Sequence, residues 1–158
     1  MRRMAAAAMA ALAIGLAGAT VTTGAGSQFV PPPQRCNLET LRGAYGMQWV
    51  GTRPVLGSPS TSEPFTGIAI RTFDGAGNFT QVSTVKGLVV GVEPENIESA
   101  GTYDVNEDCS GTATLFVPGG PIVTAGFVIV DGGDEVLQSV MTPVPIFNAA
   151  VTKRIHKR

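Results

Sequence analysis

Phe65-Thr66-Gly67-Ile68-Ala69-Ile70-Arg71-Thr72-Phe73 runs into Asp74-Gly75-Ala76-Gly77-Asn78 and out again through Phe79-Thr80-Gln81-Val82-Ser83-Thr84-Val85. The two flanking runs alternate with period two. The segment between them is a glycine-rich turn of the kind that supplies positive φ to a hairpin. Read outward, the pattern repeats. Residues 41–52 place Tyr45, Met47 and Trp49 on one face and Gly46, Gln48 and Val50 on the other. The second strand covers 65–73 and its answering strand 79–90. Further runs follow at 100–105, 111–117, 122–130, 135–142 and 147–155. Glu93-Pro94-Glu95-Asn96, the turn at 106–110, Pro118-Gly119-Gly120-Pro121 and Asp131-Gly132-Gly133-Asp134 separate them.

About eight strands joined mainly by short connections predict an all-β domain, a single antiparallel eight-stranded barrel of the up-and-down kind. Closure of one sheet also removes exposed edges. A two-sheet β-sandwich is the alternative, and periodicity does not separate the two. Hairpin-length loops favour the barrel.

Composition narrows the chemistry. The 20 Gly and 11 Pro in 158 residues argue against a helical bundle, because both break helix interiors. A net charge of −1 leaves no electrostatic footprint for nucleic acid. With 1 His and 2 Cys, the chain lacks the parts for a histidine triad, a His/Cys zinc cluster or a CxxC redox site. No cofactor and no metal is expected.

Residues 1–27 read as a secretory signal: Arg2 and Arg3 precede an alanine-dominated apolar run, and small residues follow at Ala17-Gly18-Ala19 and Thr23-Gly24-Ala25. The run is short of the roughly 20 residues a spanning helix needs. Residues 28–36 form a Pro-rich linker containing Pro31-Pro32-Pro33, and 37–158 form the barrel domain. The expected location is secreted or periplasmic, with no membrane span after signal cleavage. In that oxidising setting Cys36 and Cys109 most simply form one disulfide.

Three phrases stand in order along the chain. They are Leu41-Arg42-Gly43-Ala44-Tyr45-Gly46, Phe73-Asp74-Gly75-Ala76-Gly77-Asn78-Phe79 and Gly101-Thr102-Tyr103-Asp104-Val105-Asn106-Glu107-Asp108-Cys109-Ser110-Gly111. Together they resemble the small secreted bacterial proteins related to the allene oxide cyclase barrel, a calycin-like family. The resemblance spans about Cys36 to Ile155 and implies an eight-stranded barrel with an apolar interior. It also implies an alternative activity, an isomerase or cyclase acting on a lipid-like or polyketide-like substrate. No active-site residue of those enzymes maps onto a position here.

Other constellations carry less. Asp104, Asn106, Asp108 and Ser110 alternate like the start of a calcium loop, but Cys109 and Leu115 stand where such a loop needs glycine and glutamate. Asp131, Asp134 and Glu135 read as solvated turn residues, and the basic tail from Lys153 to Arg158 as a solvated terminus. Function is sought in the interior. Tyr45, Met47 and Trp49 either line a pocket or plug a packed core. Arg71, Gln81, Gln138 and Arg154 are polar residues on otherwise apolar strands, and a buried one needs a partner or a ligand. The ligand-binding candidates are therefore Tyr45, Met47, Trp49, Arg71, Gln81 and Gln138. The expected function is binding of a small apolar or amphipathic molecule without transformation. An envelope or adhesion module is a further alternative, and a second copy of the barrel is the other expected partner.

Overall fold

The computed structural model describes residues 35–55, 58–89, 91, 92 and 96–156. The expected signal segment (residues 1–27), Pro31-Pro32-Pro33 and the terminal Lys157 and Arg158 lie outside the described residues. The chain opens with a short 3-10 turn, η1 (Leu38–Leu41), and continues through β1 (Gly43–Val55), β2 (Ser58–Phe73) and β3 (Asn78–Gly87). A two-residue strand, β4 (Gly91–Val92), pairs with the end of β3. Then come β5 (Ile97–Val105), β6 (Ser110–Phe116), β7 (Ile122–Val130), the 3-10 turn η2 (Asp131–Gly133), β8 (Glu135–Thr142) and β9 (Phe147–Arg154).

Hydrogen bonding runs in the order β2-β1-β9-β8-β7-β6-β5-β3, and β2 pairs with β3 to close the ring. The result is a closed antiparallel barrel of 8 strands, not a sandwich. The period-two burial that the sequence pattern requires is clearest in β3 and β9, where exposed and buried residues alternate almost without a break. Two boundaries shift. Residues 58–64, rich in Ser, Thr and Pro, extend β2 because their partners in β1 continue the ladder, with Arg53 opposite Glu63. Leu41 belongs to η1 rather than to the first strand, because Asn37 caps that turn in a reciprocal box with Thr40.

The two ends of the barrel differ. At the lower end lie the turns after β2, β5 and β7, together with η1. There Tyr45, Phe73, Phe79, Tyr103 and Phe127 converge from five strands, with Leu41 beneath them. Phe73 sits edge-on to Tyr45 at 5.3 Å and to Tyr103 at 4.9 Å between ring centroids, an attractive arrangement of ring edges and faces. A Cβ on Gly101 would overlap the Phe79 ring, so that strand position admits the plug only as glycine.

Cys36 and Cys109 form the expected bridge. Cys36, assigned from sequence to the linker, is buried in the core and ties η1 to the β5–β6 turn. Arg154, one of the polar strand residues, closes the same end. Its guanidinium donates to the carbonyls of Thr40 and Gly133 and to the Asp134 carboxylate, and it lies 4.8 Å from the Tyr45 ring centroid.

The acidic turns have structural roles. The Asp74 carboxylate accepts from the backbone N–H groups of Ala76 and Asn78 and from the Asn78 amide, which holds its carboxyl below the ordinary range. Asp108 accepts from the hydroxyl and backbone N–H of Ser110 with the same consequence. The calcium-like spacing of 104–110 is thus an Asx turn that shapes the β5–β6 connection.

Candidate functional site

Above the aromatic plug the barrel is open. A cavity of about 750 Å³ occupies the upper half, inside the range of roughly 300–1,000 Å³ typical of small-molecule sites. Its wall is mostly apolar: Met47 and Trp49 from β1, Phe65 from β2, Val85 from β3, and Leu115 and Val123 from β6 and β7. The mouth is bordered by Pro118-Gly119-Gly120-Pro121 between β6 and β7, and by Pro143, Pro145 and Ile146 between β8 and β9.

The contrast between the two halves follows from side-chain size along each strand. Inward positions near the lower end carry rings, whereas the cavity wall includes Ala113 and Ala125. Eight strands enclose little more than their own side chains. Exchanging rings for methyl groups at one level therefore opens a hollow.

The floor of that hollow is charged. Arg71 is 4% exposed, on the inward face of β2 between Ala69 and Phe73. Its guanidinium carbon stands 4.4 Å from the Phe79 ring centroid. Nε and Nη2 both donate to Oε1 of Gln81, at 2.9 and 2.6 Å, and Nη1 donates to Oε1 of Gln138 at 3.2 Å. Among the described residues no carboxylate lies within ion-pair distance of Arg71. Burial pulls the guanidinium down to about 10, so it remains a cation at neutral pH.

Because arginine only donates, the Gln81 and Gln138 atoms facing it are the amide oxygens. Neither amide nitrogen has a protein acceptor among the described residues. Higher on the wall, Asn148 carries a buried amide oxygen without a hydrogen-bond partner.

At the rim, Glu63 is fully buried. It pairs with Arg53 at 2.9 Å and accepts the backbone N–H of Val89 at 2.7 Å, tying the segment after β3 to the mouth.

Of the sequence candidates, Met47, Trp49, Arg71, Gln81 and Gln138 all line the cavity. Tyr45 does not. It shares their face of β1 but lies below the floor, where its hydroxyl donates to the Gly133 carbonyl at 2.6 Å and burial pushes the phenol up to about 12. Parity gave Tyr45 the right side of the strand, and its height along the barrel put it in the plug. Asn148 was missed. Its signal was present in the alternation Asn148, Ala150, Thr152, a polar residue sharing the inward parity of a small one.

Compared with known proteins, the chain matches no family model and no curated protein.

Proposed function

We propose that this protein is a secreted binding protein that holds one small amphipathic molecule inside its barrel without transforming it. The observation that carries this reading is the 750 Å³ cavity, with apolar walls and a polar floor, in a barrel whose other half is filled. Convergent polar groups at one end of an apolar hollow are the usual layout of a small-molecule site. The Cys36–Cys109 bridge suits an oxidising compartment and supports secretion as the setting. The closed eight-stranded barrel supports placing the chain beside the allene oxide cyclase barrel proteins it resembles.

The test is native mass spectrometry of the secreted protein, paired with titration of an apolar fluorescent probe. Trp49 is the chain's 1 Trp and stands on the cavity wall, so its emission reports occupancy directly. We expect a ligand mass seen only under native conditions, or a saturable one-to-one probe response that Val123→Trp abolishes by filling the hollow. A bare native mass, with no probe response in the wild-type chain, would overturn the reading.

A further inference from the structure

We propose that the cavity floor is an oxyanion site, and that the molecule bound there is an acidic amphiphile. Its singly charged head group would sit on Arg71, Gln81 and Gln138, with its apolar body toward the mouth. This inference rests on the binding-protein reading above and adds the chemistry of the ligand and its direction.

The argument is an inventory of donors and acceptors. Arg71 brings five N–H groups, and three of them are used by the two glutamine oxygens. Neither glutamine amide nitrogen has a protein acceptor among the described residues, so both are available to a head group. The floor is therefore rich in donors and short of acceptors.

Its charge is equally one-sided. A buried cation ordinarily sits against a carboxylate, since an isolated charge in apolar surroundings is strongly disfavoured. Here, among the described residues, the neighbours are two neutral amides and the rings of Phe79 and Phe73. A group that brings one negative charge and two or more acceptor oxygens answers both deficits at once. A neutral head group answers only the second. A dianion would leave one charge uncompensated in the same apolar setting.

Direction follows from the wall. Above Arg71 the wall is mainly Met47, Val85, Leu115 and Val123, which suit an alkyl or ring body, and the other cation of the lining, Arg53, is paired with Glu63. The reverse orientation would bury that body against the guanidinium and leave the wall facing a charge.

Three probes of one chain length separate the alternatives: decanoate, decanol and decyltrimethylammonium, each titrated into the full secreted protein with Trp49 emission as readout. We expect decanoate to bind at least ten-fold more tightly than decanol, and the cation not to saturate. In Arg71→Met the acid-to-alcohol ratio should fall to about one while decanol affinity is retained. Decanoate labelled at the carboxyl carbon should, when bound to wild type, titrate below its free value by NMR. That measurement does not depend on the variant folding.

Equal wild-type affinity for decanoate and decanol would overturn the oxyanion site and leave the cavity reading standing. Acid preference that survives Arg71→Met would also overturn it. No binding of any probe, together with a bare native mass, would overturn both.

Discussion

Arg71 and Gln81 are direct partners across the β2–β3 pair, and one amide oxygen of Gln81 accepts two N–H groups of Arg71. This fork holds the guanidinium over the Phe79 ring without neutralising it. A cation so held is oriented and has no carboxylate beside it among the described residues. Its role is thus separable from that of the plug beneath it.

That separation is measurable by urea denaturation. Arg71→Met removes an unpaired buried charge but leaves the amide oxygens of Gln81 and Gln138 without their donor. The ligand-free unfolding free energy should therefore fall by no more than about 1–3 kcal/mol. Phe79→Ala opens a void under the floor and should cost about 3–5 kcal/mol. A loss of that second size for Arg71→Met would make the arginine a structural element.

The chain contains 2 Tyr, and both lie in the plug with phenols displaced upward, Tyr45 to about 12, in each case mainly by burial. A group whose folded value is raised favours its protonated form in the native state. The stability it contributes is present below pH 10 and is lost as pH rises toward 12. A phenolate absorbance titration of the folded protein should therefore run entirely above the ordinary tyrosine range. Tyr45→Phe should remove the higher step and cost about 1 kcal/mol at neutral pH through loss of the hydrogen bond to Gly133. An absorbance midpoint at the ordinary value would contradict the buried plug.

The disulfide joins residues 73 positions apart. By the chain-entropy model, closing a loop of that length is worth about 4 kcal/mol. Replacing Cys36 and Cys109 together with serine should lower the unfolding free energy by about that amount while leaving the strand signature in circular dichroism intact. In the wild-type chain, a non-reduced intact mass about two units below the reduced value would register the bridge. A double variant as stable as wild type would show that η1 does not depend on the bridge.

Gly67 faces Trp49 across the β1–β2 pair, and a Cβ at that position would overlap the indole. Gly67→Ala should push the ring into the cavity. We expect a shifted Trp49 emission, probe affinity lowered several-fold, and destabilisation of about 1–3 kcal/mol from overpacking. An unchanged spectrum would place the indole away from the wall.

Much of this was legible in the residues. The alternation around Asp74-Gly75-Ala76-Gly77-Asn78 marks a hairpin because the φ values at Gly75 and Gly77, 76° and 99°, are ones that few other residues adopt. Arg71, Gln81 and Gln138 stood out as polar residues on apolar strands. The extension of β2 over 58–64 was hidden, because Ser, Thr and Pro mark loops in local terms and only the pairing with β1 overrides them. Tyr45 shows the same limit. Parity assigns a face of a strand, but the height along the barrel at which that face meets a neighbour depends on register.

By itself, the sequence determined which residues alternate, where the chain turns, and that one cysteine pair was available to bridge, because these depend on local sterics and side-chain chemistry. Only the tertiary structure decided that rings gather at one end and smaller side chains above them, and that Arg71 from β2 meets Gln81 from β3 and Gln138 from β8 with no carboxylate beside it among the described residues. Those relations depend on which strands become neighbours when the sheet closes and at what offset. No single strand carries that information.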